Sequence, residues 1–317
     1  MAKTNFVELP DGTAVPILFE DRSILAIDKP AGWMLGPEDE EHARRNLHLG
    51  LMAGIEEGAW WAKCRGLRFI RFIHRLDAPT TGVLLMAKSR GAIAPFGRLF
   101  ATRDVSKRYL AITEGVPRLR EWTCTLPLGP DPREPGRHRV DPRDGKEAET
   151  EFRVLDVRGG RSLIEAFPRS GRTHQIRLHL AASHCPVVGD ILYGRHDPVG
   201  LGLRAVDLSY RDPFTGRPVH VRAPFEAFKS AFGFGPVPSA SAHPSDGGSP
   251  DSSLTLASKG SGTERAETKG EPRTATPLDS ARTDAEAASA RARGHARRGP
   301  TSRPAASRPF RRGPRGR

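Results

Sequence analysis

Short apolar runs punctuated by glycine and proline fill the first 234 residues, and their spacing predicts mostly strands with a few helices. Residues 15–19 and 24–27 read as two short strands, the second ending in the turn Lys29-Pro30-Ala31-Gly32. The stretch 38–68, rich in Glu, Gly and Arg around Trp60-Trp61, follows neither period. Residues 83–87 are a continuous apolar run of strand length, after which Ile93, Phe96, Leu99 and Phe100 recur at helical spacing. Strand character returns at residues 108–113. Residues 127–145 hold five Pro and three Gly among many charges and read as a surface loop. Residues 148–157 and 162–167 form an expected hairpin through Gly159-Gly160. Thr173 stands where an N-cap belongs, ahead of a helix through Ala182. Residues 203–210 and 218–223 are two further strands around a turn at 212–216. Hairpin strands with few interspersed helices predict an α+β fold on a mixed, mainly antiparallel sheet.

Composition divides the chain. All four Trp, all three Tyr and every Phe but Phe310 lie within residues 1–234, and residues 235–317 are dominated by Ser, Ala, Pro, Gly and charge. A segment so poor in large side chains cannot offset its ordering entropy, so residues 235–317 are expected to be a disordered linker and tail. Charge sharpens that division. The whole chain carries +13; ten Arg without an acid in residues 291–317 and a net −3 in residues 235–290 leave +6 for the expected folded part. A moderately basic domain suits a nucleic-acid substrate. Cys64, Cys124 and Cys185 lie about 60 residues apart, unlike zinc or disulfide frameworks, and are expected to be reduced thiols. The N-terminus shows no leader pattern and no apolar run approaches a membrane span, so a cytoplasmic monomer with no membrane partner is expected.

Three segments carry candidate chemistry. His74-Arg75-Leu76-Asp77 leads through Pro79 and Gly82 directly into the apolar run 83–87, and a loop anchored on a buried strand can hold a carboxylate rigidly. Seen alone, Asp77 reads first as an ordinary turn or cap residue. In Ser170-Gly171-Arg172-Thr173-His174-Gln175-Ile176-Arg177, Arg177 is either the partner of a buried carboxylate or a solvated residue on an amphipathic helix. His174, His179 and His184 invite a zinc reading, but two spacings of five do not share a helical face. Lys107-Arg108-Tyr109 places an aromatic ring beside two bases at a strand start.

Taken together, HRLDAPTTGVLLMAKS, SKRYLAITEG and SGRTHQIRLHLAASHCPVVGDILYG resemble, in this order, the motifs of the RluA family of RNA pseudouridine synthases. ILAIDKPAGW, GKEAETEFRVL and LRAVDLSYRDPFTGRPVHVRAPFEAF are similar to that family's remaining landmarks, so the resemblance spans about residues 15–230. It implies a catalytic domain over residues 1–234 that isomerises uridine in ribosomal or transfer RNA. By the same resemblance Asp77 is the catalytic carboxylate, Tyr109 an active-site ring and Arg177 the partner of Asp77. Arg75 takes the place of a flipped nucleotide, His74 and Arg172 contact substrate, and Leu178 or Leu180 lines the uracil pocket. Thr81 stands where Ser is commoner, and MLGPEDEEH replaces an apolar stretch with a His. The segment before Val15 is too short for the small RNA-binding domain of many relatives, which shifts target choice to the catalytic domain, loops or tail.

Isomerisation transfers no electrons overall, so neither a redox cofactor nor a metal is expected, and no convincing Gly-rich dinucleotide loop is present. Two readings compete: a non-catalytic RNA-binding or RNA-folding protein on the same scaffold, and a metal-dependent hydrolase using the histidines.

Overall fold

The continuity of the apolar runs has its cause at the centre of the sheet. β3 (Ile24–Lys29) and β5 (Thr81–Ala87) pair antiparallel, from Ile24 opposite Ala87 to Lys29 opposite Gly82. Leu25, Ile27, Leu84 and Met86 enter one core with Leu47, Leu51 and Trp61. Ile24, Ala26, Val83 and Leu85 enter a second, with Phe96 and Tyr210, on the opposite face. Strands covered on both faces need apolar residues at every position, so period-2 alternation disappears.

A computed structural model describes residues 2–36 and 45–235. The order is β1 (Phe6–Glu8), β2 (Ala14–Glu20), β3, α1 (Leu47–Glu56), α2 (Trp60–Lys63), β4 (Arg71–Phe72), β5, α3 (Arg90–Ala101), β6 (Ser106–Glu114), β7 (Glu121–Cys124), β8 (Leu128–Pro130) and β9 (His138–Val140). There follow β10 (Thr150–Arg158), β11 (Arg161–Pro168), α4 (Gln175–Ala182), β12 (Leu203–Arg211), β13 (Pro218–Arg222) and α5 (Glu226–Ala231). The main sheet runs β1-β2-β3-β5-β12-β6-β11-β10-β7, with β13 on β12 and β4 on β5; β8 and β9 form a separate ribbon. This is the α+β architecture with a mixed, mainly antiparallel sheet that the pattern predicts.

Among the described strands, β5 and β12 are the one parallel pair, with Arg204 opposite Thr81 and Ala205 opposite Gly82. That seam joins an N-terminal half of the sheet to a C-terminal half. Gly82 has φ 109°, and a Cβ there would lie 2.0 Å from the Ala205 carbonyl oxygen. Only glycine lets the two strands close at this point. Gly82→Ala is therefore expected to cost about 2–4 kcal/mol through overpacking and backbone strain. Thermal unfolding checks this, and a variant melting with the wild type would show that the seam tolerates a methyl group.

Departures from the sequence expectations have local causes. Residues 127–145 contain the ribbon β8–β9, whose strands have three residues each, too few for any period to show. Tertiary contacts hold it: Leu128 packs with Leu178, and the His138 N–H donates to the Tyr193 hydroxyl at 3.0 Å. The stretch without a period supplies α1 and α2, with Asn46 capping α1 through Leu49 N–H. Thr173 is not the N-cap of α4. His174 occupies that position in the left-handed region, φ 55°. The entry loop is tied instead by the Gln175 side chain, whose Oε1 accepts from Ser170 Oγ and Arg172 N. All three cysteines are free thiols. No helix among the described residues is long and apolar enough to cross a membrane. The expected tail beyond Gly235, and residues 37–44 of the atypical acidic segment, lie outside the described residues.

Candidate active site

A cleft of about 430 Å³ opens over the sheet beside the parallel seam. Its walls come from the loop before β5, the end of α3, the start of β6, the turn from β11 into α4 and the start of β12. Asp77, Tyr109 and Arg177 all line it, as do His74, Arg75 and Arg172, although these residues span a hundred positions of sequence. The volume falls within the usual range for small-molecule sites, roughly 300–1,000 Å³.

Asp77 accepts a hydrogen bond from Arg177 Nη1 at 3.2 Å. Arg177 is itself held from behind, because Nε and Nη2 each donate at 2.7 Å to the two carboxylate oxygens of the fully buried Asp190. Burial opposes the guanidinium charge, but Asp190 and Asp77 outweigh that and push its pKa up. A bidentate carboxylate fixes the plane of the guanidinium, so its remaining nitrogen is aimed rather than free. Asp190 also accepts the backbone N–H groups of Leu192 and Tyr193.

Tyr193 closes the circuit. Its ring lies 5.2 Å from the Arg177 guanidinium, and its hydroxyl shares a 2.8 Å hydrogen bond with His174 Nδ1. His174 Nε2 stands 3.9 Å from Asp77 Oδ2. Burial pulls His174 down to about 4, partly opposed by Asp77, so its imidazole is neutral at pH 7. Burial raises the Tyr109 phenol, and the Asp77 charge raises it further, which keeps it protonated.

Lys29 anchors the Asp77 loop from below. Its buried ammonium donates to the carbonyls of Pro30, Ala78 and Thr80 at 3.0, 2.8 and 3.0 Å. Three acceptors for three N–H donors satisfy the charged form. Burial nevertheless pulls it down to about 7, against the attraction of Asp77. Two of those carbonyls belong to the loop that carries Asp77, so the lysine acts as a clamp on the carboxylate's backbone.

Other expected residues find different places. His74 borders the cleft, but its Nε2 accepts the Leu85 N–H at 3.0 Å and its ring stacks on Phe100 at 4.9 Å. Desolvation pulls it down to about 3, so it is a neutral tie between the Asp77 loop and β5. Leu178 and Leu180 do not line the cleft. Leu178 packs with Leu128 and Ala148, and Leu180 with Phe152 and Ile164. Both leucines are taken up by the core beneath α4, and Leu76, Ile176 and Leu203 supply the apolar wall of the cleft instead. The histidines stay apart: His179 is bound by Thr150 Oγ1 and the Leu126 carbonyl, and among the described residues no three potential ligands converge. Lys29, Asp190, Tyr193 and the carboxylate-facing role of His174 were missed at the level of sequence. DKPAGW and GDILYG were the available signals for the first three.

A buried Arg aimed at a carboxylate, in a cleft lined by four further cations, suits a site that receives a polyanion. Comparison with known proteins specifies the class. The family model for RNA pseudouridylate synthase matches residues 23–182. The uncharacterised RNA pseudouridine synthase YhcT of Bacillus subtilis is 33% identical over 223 residues, covering 69% of this chain and 71% of the relative. Ribosomal large subunit pseudouridine synthase C of Salmonella typhimurium is 31% identical over 222 residues, 66% of each chain. The structure of human RNA pseudouridylate synthase domain containing 1 superposes with a TM-score of 0.55 at 25% identity, covering 68% of this chain and 86% of that one. The chain belongs to the RNA pseudouridine synthases of the RluA type, and is an isomerase of uridine in RNA.

Proposed function

We propose that this synthase acts on ribosomal RNA, with Asp77, Tyr109 and Arg177 as its catalytic set within a domain of residues 1–234. The observation behind this reading is the Asp190–Arg177–Asp77 chain, which presents one carboxylate to a cationic cleft with its counter-charge already in place. A protein that only bound RNA would gain nothing from a carboxylate among its phosphate contacts.

The reaction breaks the bond between uracil N1 and ribose C1′, turns the base, and joins C5 to C1′. C5 loses a proton and N1 gains one, so the product is an isomer and no electrons are exchanged. Asp77 serves as nucleophile or proton acceptor, and Arg177 orients it and supplies its counter-charge. Tyr109 packs against the uracil. A nucleotide in a stem reaches the cleft only when everted, at a cost of a few kcal/mol, and the exposed Arg75 replaces it in the stack. Arg172 holds backbone nearby. The ten arginines of residues 291–317 add salt-dependent attraction for RNA. The protein works as a cytoplasmic monomer.

Relatives named as ribosomal large subunit synthases, in Salmonella and in Buchnera, favour ribosomal over transfer RNA. Pseudouridine mapping in RNA from cells with and without the gene is expected to show one or more sites lost from large-subunit ribosomal RNA. Loss confined to transfer RNA would overturn the choice of target, and loss of no site would overturn the catalytic reading.

A further inference from the structure

Five cations line the cleft, and Arg177 alone among them is neutralised; among the described residues Arg75, Arg103, Lys107 and Arg172 have no carboxylate within ion-pair distance. Arg75 and Arg172 have RNA-contacting roles in the reading above, whereas Arg103 and Lys107 have none. Arg103 follows the C-cap of α3, Thr102, and has φ 65°. Its neighbour Asp104 closes the helix end by donating its N–H to the Leu99 carbonyl at 2.8 Å. This left-handed position after a helix is one that glycine fills without strain and an L side chain fills at a cost. Lys107, on β6, is half-buried and donates to the Ser170 carbonyl at 2.8 Å, which leaves two of its three N–H donors unused. Both side chains line the same cleft, and burial, joined by the Arg103 charge, pulls the Lys107 ammonium down to about 8.

We infer that Arg103 and Lys107 form a phosphate subsite at the edge of the cleft, clamping one backbone phosphodiester next to the everted uridine. Two cations on the rim of one cleft, neither of them paired with a carboxylate among the described residues, leave positive charge and N–H donors available to an external anion. The inference rests on the catalytic reading for its RNA, but it concerns binding, which is measurable without turnover. The simpler reading assigns Arg103 to the negative end of the α3 dipole. The two diverge in their readouts, because dipole stabilisation appears in the melting temperature and a phosphate contact appears in RNA affinity.

Arg103→Gly in the full-length protein removes both the charge and the strain. Its melting temperature is expected to stay level or rise by about 2 °C. Affinity for a labelled uridine-containing RNA stem–loop, followed by anisotropy across a salt series, is expected to fall on the order of tenfold at low salt. The slope of log affinity against log salt should flatten by about 0.7–0.9, the value of one phosphate contact. Lys107→Gln should weaken binding similarly, and the double variant should lose less than the product of the single losses, because both side chains hold one phosphate. A lower melting temperature with unchanged affinity and slope for Arg103→Gly would overturn the subsite in favour of the dipole. Unchanged affinity in Lys107→Gln, or multiplicative losses in the double variant, would overturn the shared clamp. Failure of wild-type protein to form pseudouridine would reject the catalytic reading and leave the binding comparison standing.

Discussion

Asp77→Asn is expected to fold, to bind RNA with near wild-type affinity, and to lose on the order of 10⁴-fold in turnover, as removal of a central catalytic carboxylate does in other enzymes. The amide has nearly the same volume and keeps an oxygen that can accept from Arg177 Nη1. Arg177 remains paired with Asp190 through two hydrogen bonds, so the substitution leaves no buried charge without a partner. Stability should therefore change little, and the loss should fall on the chemical step. An amide is neither an adequate nucleophile toward the sugar or base nor an acceptor for the C5 proton. Release of tritium from RNA labelled at uridine C5 measures that step, with thermal unfolding and RNA binding as controls. Turnover within tenfold of wild type, by protein free of deamidated Asp77, would remove Asp77 from the mechanism.

Arg177→Met should damage both stability and catalysis, and the two losses should be separable. Asp190 is fully buried and loses its bidentate partner, which is expected to cost about 3–5 kcal/mol. Turnover should fall on the order of a hundredfold or more per folded molecule, because Asp77 loses the donor and counter-charge that hold it in the cleft. A merely structural arginine would give a less stable enzyme whose rate per folded molecule matches the wild type. Melting curves and initial rates, normalised to the folded fraction, separate the outcomes.

The main strands were legible because local and tertiary preferences agree there. The runs at β3 and β5 are apolar at every position, as strands buried on both faces must be, and Gly159-Gly160 supplies positive φ at both positions of the turn between β10 and β11. The ribbon β8–β9 and the entry of α4 were not legible. Three-residue strands carry no period, and the N-terminus of α4 is decided by Gln175, which reaches Glu149 and Thr150 of a different element.

The candidate site divides along the same line. Sequence by itself determined the chemical inventory: a carboxylate on a loop that runs into a buried strand, an arginine on a short helix, a tyrosine on a strand, and a basic domain. Motif resemblance then put those residues into one family. Only the tertiary structure decided which groups meet. Asp77 and Arg177 lie a hundred positions apart and touch because the β5–β12 seam brings the Asp77 loop under α4. Asp190 becomes the anchor of Arg177, and Lys29 the clamp on the Asp77 loop, through contacts set by the packing of separate elements. The same packing turns Leu178 and Leu180 into the core and gives their expected place to Leu76, Ile176 and Leu203. Side-chain type and short-range spacing are properties of the chain, whereas the direction of a helix face and the partner of a buried charge depend on elements distant in sequence.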